Sequence, residues 1–216
     1  MSAAPAAPRR RRDPVRWVLK PLLWIGCLGP AAWLVRGLVS GDLGVDPVKT
    51  LTHTTGLSAL VILLITLSVT PLRRLTGYLP LVRLRRPFGL FAFFYALLHF
   101  LIYAVFDHRL SPSEIGEDIA EHPWVLVGFA GFVILLALAV TSPAAAVRRL
   151  GGRRWQRLHR LVYVAGGLAV LHFYWLVKRD VTEPLWYGAA LGLVLAGRLL
   201  PERRRRRTVA EPGTGY

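Results

Sequence analysis

Apolar and polar positions along the chain fall into long blocks. Six apolar stretches, at 15–35, 48–69, 88–107, 124–141, 155–177 and 184–200, are separated by short polar segments rich in arginine. A helix needs about 20 apolar residues, at about 1.5 Å each, to cross a hydrocarbon core of about 30 Å. All six stretches approach or meet that length, the fourth being the shortest. The pattern predicts an all-α, polytopic helical bundle of six transmembrane helices.

Charge orients the bundle. Of 216 residues 54% are hydrophobic, yet the formal charge is +16, so the basic residues must be segregated from the spans. Short loops rich in Lys and Arg stay cytoplasmic. With both termini cytoplasmic, the inner segments hold Arg9 to Arg12, Arg16, Lys20, Arg73, Arg74, Arg83, Arg85, Arg86, Arg148, Arg149, Arg153, Arg154, Arg157, Arg160, Arg198 and Arg203 to Arg207. The outer segments keep Arg36, Lys49, Arg109, Lys178 and Arg179 among the bases and nine of the twelve acids. This predicts a multi-pass protein of a bacterial inner membrane, with basic tails at 1–14 and 201–216 flanking one membrane domain at 15–200. The arginine runs read as topogenic signals and contacts to anionic membrane lipids. No nucleic-acid partner is expected, because no soluble module accompanies the charge.

Other classes are excluded quickly. No Rossmann or P-loop glycine fingerprint is present, so nicotinamide or ATP binding by those routes is not expected. The lone Cys27 cannot form an internal disulfide and reads as packing. No small-residue cleavage site stands out after Cys27, so the first stretch reads as a retained helix.

Candidate chemistry lies in the ionisable residues inside the spans. Lys20, Lys49, Arg157, Arg160 and Arg198 sit near helix ends and can snorkel, and no Asp or Glu lies deep in a span. Histidines remain. His99 and His172 stand within FGLFAFFYALLHFLIYAVFD and LHRLVYVAGGLAVLHFYWLVK. An imidazole at such depth is costly, and a leading reason for its presence is haem iron. Each lies several residues from the outer end of its span, with offsets differing by only about 5 Å at about 1.5 Å per residue, so the pair can share an outer-half site. His159 precedes His172 by thirteen residues, a rise of about 20 Å, and could serve a second, inner site. On an ideal helix those two side chains point roughly 140° apart, and the inner site lacks an obvious second histidine. His53, at the start of the second span, is a further candidate as ligand or propionate contact, with a helix-end role as its alternative. His108 and His122 fall in the outer loop and are expected in solvent.

The bland alternative is that intramembrane histidines merely bond Ser, Thr or carbonyl groups on neighbouring helices. A non-redox transporter or assembly protein would fit that reading. The absence of deep carboxylates and of broken-helix repeats argues against a carrier.

Ordered motifs sharpen the choice. HTTG at 53–56, TPLRR at 70–74, RRPFGLFAFFYALLHFLIY at 85–103, TS at 141–142, RRLGGRRWQRLHRLVY at 148–163 and LHFYWLVK at 171–178 together resemble the MsrQ (YedZ) family, within the ferric-reductase-like transmembrane group. The likeness covers about residues 15–200. It implies a subunit that binds haem b, and FMN as well, and that transfers electrons without being the catalytic subunit. The implied donor is the quinone pool or a cytosolic flavin reductase. The implied acceptor is a periplasmic molybdopterin-containing methionine sulfoxide reductase, MsrP, which repairs oxidised proteins. By the same resemblance His99, His159 and His172 match the haem-ligand histidines. No FMN motif stands out; by position, Arg73, Arg74, Arg148, Arg149, Arg153 and Arg154 could hold a flavin phosphate, with topogenic duty alone as the favoured account. A self-sufficient ferric or quinone reductase is the alternative within the redox class.

Overall fold

The computed structural model describes residues 15–177 and 180–199, so the two basic tails and residues 178–179 and 200 lie outside the described residues. Helices account for nearly all of it, and no strand occurs among the described residues. Four helical segments are long and apolar enough to cross a membrane: Trp17–Ser40, Pro47–Thr76, Leu79–Asp107 and Pro123–Val140.

Helix α1 (Lys20–Ser40) continues from a π-helical turn at Val15–Leu19. It ends where Gly41 adopts a left-handed φ of 71° and returns its N–H to the Gly37 carbonyl. Helix α2 (Pro47–Thr76) begins with the Asp46 side chain accepting the Lys49 N–H and with Pro47 in the first turn, where a missing N–H costs nothing. Its 30 residues span about 45 Å at about 1.5 Å per residue. After a 3₁₀ segment at Leu79–Leu84 comes α3 (Arg85–Ile102), extended by a π-helical turn at Tyr103–Asp107. The polar α4 (Pro112–Glu121) leads into α5 (Pro123–Val140). Two short helices, α6 (Ala144–Leu150) and α7 (Gly152–His159), precede α8 (Val162–Leu176) and α9 (Thr182–Ala196).

Hydroxyl side chains within these helices are satisfied locally. Thr52, Thr55, Thr66, Ser68 and Thr141 each donate to the carbonyl four residues earlier, so none requires water inside the bundle. The most extensive packing runs between α2 and α3 and between α5 and α8, and α3 joins the two pairs through α5. Helix α1 lies against α2 and α3, and α9 against α8 and α2. A core of Leu63, Phe91, Ala92, Tyr95 and Ala165 fills the centre. Large apolar side chains such as Ile25, Val39, Trp186 and Leu193 project outward, the inverse of a water-soluble surface and the expected one for a body bathed in lipid.

The structure departs from the hydropathy pattern in the fifth stretch. A continuous helix over 155–177 is expected, but the chain breaks at residues 160–161 between α7 and α8. Residues 151–160 (GGRRWQRLHR) are mostly polar, and the apolar run starts only at Leu161. Helices α8 and α9 are 15 residues each, shorter than the expected fifth and sixth spans. With the break, the regular-helix angle between His159 and His172 no longer applies.

Candidate functional site

Helices α3 and α8 bring His99 and His172 together, with ring centroids 6.2 Å apart. Each ring is held by a backbone carbonyl of the helix most closely packed on its own. His99 Nδ1 lies 2.9 Å from the Thr52 carbonyl of α2, and His172 Nδ1 lies 2.7 Å from the Trp124 carbonyl of α5. A carbonyl oxygen only accepts, so each Nδ1 carries a proton, and in the neutral form of each ring it is Nε2 that offers the lone pair. An imidazole tied through Nδ1–H to a backbone carbonyl is the arrangement that second-shell bonding gives to a metal-bound histidine.

Both rings line a cavity of about 1210 Å³, larger than the range of about 300–1,000 Å³ usual for small-molecule sites. Its deep wall is apolar, including Leu63, Phe100, Phe129, Phe132 and Ala165. Phe100 stacks on Phe132 at 4.8 Å and 13°. His53 lines the same cavity, exposed, with its ring 6.2 Å from that of Phe173.

These residues fit a haem. With metal–imidazole bonds of about 2 Å, two axial imidazoles on one iron have ring centres roughly 6.3 Å apart, and the observed 6.2 Å matches. The flat aromatic and aliphatic wall suits a macrocycle, and the paired Nε2 lone pairs suit a bis-imidazole iron.

The end of the cavity near α4 is polar. Asp118 accepts a 2.5 Å hydrogen bond from the Tyr103 hydroxyl and sits 3.3 Å from His108 Nε2 and 2.8 Å from His122 Nδ1. His108 and His122, expected in solvent, are instead paired to one carboxylate that ties α4 to α3. Partial burial pushes the Asp118 carboxyl upward, but the Tyr103 hydrogen bond and the two histidines outweigh it and hold Asp118 below its usual range.

His159 is placed elsewhere. Its Nε2 lies 3.2 Å from the Thr141 hydroxyl and its ring stacks on Trp155 at 3.9 Å, while Trp155 Nε1 donates to the Thr141 carbonyl. The structure thus gathers His53, His99 and His172 in one cavity and leaves His159 at the opposite, arginine-rich end. There Arg85 donates to the Thr70 hydroxyl, and Arg198 donates to the Leu67 carbonyl and the Tyr163 hydroxyl. Arg73 and Arg74 lie close enough to Arg85 to act on it electrostatically, whereas Arg148, Arg149, Arg153 and Arg154 are exposed on α6 and α7.

Residues 52–170 match the family described as the ferric reductase like transmembrane component. That stretch opens at the residue whose carbonyl holds His99. The chain is 50% identical over 205 residues to a protein of Bordetella pertussis named protein-methionine-sulfoxide reductase heme-binding subunit MsrQ, covering 94% of this chain and 98% of that one. Proteins of the same name from Ralstonia nicotianae and Rhodospirillum rubrum are 48% identical over 179 residues, covering 82% of each chain, and 45% identical over 190 residues, covering 88% and 91%. The chain belongs to the MsrQ family. It is a membrane protein of that family, and its histidine pair lies within the four-helix centre that α2, α3, α5 and α8 build.

Sequence reasoning missed the two carbonyls. Any residue type offers one, so Thr52 and Trp124 carry no signal of this role in their side chains.

Proposed function

We propose that this MsrQ-family protein is a membrane electron-transfer subunit holding haem b between His99 and His172. The observation that carries the reading is the pair of imidazoles 6.2 Å apart, each with Nδ1 tied to a carbonyl and Nε2 left to bind. In the bundle we place α8 and α9 as the fifth and sixth spans, with both termini cytoplasmic in a bacterial inner membrane. The arginine-rich end then faces the cytoplasm, and the α4 end faces the periplasm.

Bound haem would supply reversible one-electron chemistry. The chain's own residues do the rest. His99 and His172 offer nitrogen ligands, their carbonyl partners make those ligands more basic, and the phenylalanine wall gives the site an apolar side. Electrons would come from the quinone pool or a cytosolic flavin reductase. They would leave at the α4 end to a periplasmic molybdopterin-containing methionine sulfoxide reductase, MsrP, in the repair of oxidised proteins. His159 is proposed as ligand of a second, inner haem, His53 as a contact to the outer one, and Arg73 and Arg74 as holders of an FMN phosphate.

The test is spectroscopic. Protein purified from cells supplied with haem should show a Soret band that shifts on reduction, and adding the periplasmic reductase with its substrate should reoxidise it. His99→Ala and His172→Ala should each lose the outer haem, while His159→Ala retains it. Full haem retention in both outer variants would refute the pairing.

A further inference from the structure

The two histidines are held by the same local device, repeated on two helices. On α2 the carbonyl is that of Thr52 and the residue one turn later is Gly56; on α5 the carbonyl is that of Trp124 and the residue one turn later is Gly128. In an α-helix the carbonyl of residue i already accepts the N–H of residue i+4, so a ring reaching that carbonyl from outside must pass over residue i+4. A methyl group at Gly128 would lie 2.6 Å from His172 Nδ1 and 2.7 Å from Cε1. A methyl group at Gly56 would lie 3.0 Å from the same two atoms of His99. Each imidazole therefore occupies the space its glycine leaves open. The outcome is a defined mutual orientation, with ring planes 82° apart.

We infer that Gly56 and Gly128 are positioning residues that fix the two axial imidazoles nearly perpendicular on a shared iron, each with its Nδ1–H bonded to the helix carbonyl one turn before its glycine. The inference rests on the haem reading above. It adds an orientation and the residues that impose it, neither of which follows from ligation alone.

Orientation has its own physical consequence. Each imidazole interacts with one of the two iron d orbitals that lie perpendicular to the haem plane. Parallel rings act on the same orbital and split the pair, giving a rhombic low-spin ferric spectrum. Perpendicular rings act one on each, leaving the orbitals nearly degenerate and the largest g value unusually high. The Nδ1–H···O=C bonds act separately: they raise imidazole basicity, favour ferric iron and lower the midpoint potential.

The experiment is electron paramagnetic resonance and redox titration of the haem-loaded full chain, for the natural protein and for Gly56→Ala, Gly128→Ala and Gly89→Ala. Gly89 serves as control because a methyl there meets only Thr66 Cγ2, at 3.8 Å. The natural protein should give a large-gmax low-spin signal. Gly128→Ala should move that signal toward the rhombic type, or to high spin, and raise the midpoint potential as His172 is pushed off the Trp124 carbonyl. Gly56→Ala should do the same to a smaller degree, since its clash is milder, and should remain loadable if Gly128→Ala does not. Gly89→Ala should leave both readouts unchanged. A rhombic signal from the natural protein would overturn the inference with the haem reading intact, as would unchanged signal and potential in both cavity variants. A natural protein that takes up no haem would overturn both.

Discussion

Replacing Tyr95 by Phe removes one oxygen atom from a fully buried side chain and should cost about 1–3 kcal/mol. Pro30 interrupts α1, because it has no N–H to donate and its ring crowds the preceding turn. The Tyr95 hydroxyl is inserted next to that interruption. It donates to the Cys27 carbonyl at 2.6 Å and accepts the Ala31 N–H at 3.0 Å, the two groups that would otherwise bond each other along the helix. Side-chain hydrogen bonds across membrane helices average about 0.6 kcal/mol and reach about 1.7. Two such bonds give the stated range, the lower end applying if α1 closes its own Ala31-to-Cys27 bond in the variant. Tyr95 precedes His99 by four residues on α3, so the same hydroxyl fixes α3 against α1 one turn before His99. Reversible unfolding in detergent or bilayer discs, followed by tryptophan fluorescence, measures the loss. A Tyr95→Phe protein within about 0.5 kcal/mol of the natural one would refute the argument that the hydroxyl holds α1 together beside Pro30.

Other outcomes follow from the same contacts. Asp118 is held below its ordinary range, so its attachment of α4 is present above the usual carboxylate pKa of about 3.9 and is lost as pH falls through its lower folded value. Hydrogen exchange of α4 should therefore accelerate only below about pH 4, and Tyr103→Phe should move that onset upward; an onset unmoved by the substitution counts against the Tyr103 contribution. Leu67, 1% exposed between α2, α8 and α9, should cost about 1–2 kcal/mol as Leu67→Ala, mainly through the void, because lipid already solvates an exposed leucine. Leu193→Ala, at a site 76% exposed, should leave stability within about 0.5 kcal/mol; equal losses at the two sites would contradict the packing assigned to α9.

Hydropathy alone located the long helices because a membrane span must satisfy its backbone internally and must be apolar over its whole length. Helices α1, α2, α3 and α5 are accordingly close to the stretches the pattern predicts. Its failures share one cause. Helices α4 and α7 are polar and α6 has only seven residues, so a criterion of about 20 apolar residues cannot register them. The break at residues 160–161 was nonetheless visible as the switch from GGRRWQRLHR to an apolar run. His99 and His172 were legible as a pair because their expected depths matched under the topology that charge suggests. Their holders were not, since a carbonyl is common to all residues. The glycines carried a weaker trace: Gly56 and Gly128 interrupt helical sequence at a cost of about 1 kcal/mol each relative to alanine, and such a residue asks for a packing reason.

That cost is softened in the bundle. A helix in lipid loses less by carrying one glycine, because its backbone bonds are already forced to form by the absence of water. What the glycine contributes is access: it exposes a carbonyl to a ring on the facing helix, and the pairs joined in this way, α2 with α3 and α5 with α8, are the most extensively packed in the bundle. Close helix approach and histidine orientation therefore have one origin. A substitution that fills either glycine should separate the two helices and rotate the ring together, whereas the loss of the histidine should leave the helices packed. Comparing His172→Ala with Gly128→Ala by cross-linking between α5 and α8 distinguishes these effects: linkage should persist in the first and fall in the second. Equal linkage in both would mean that the helices set their spacing without the glycine.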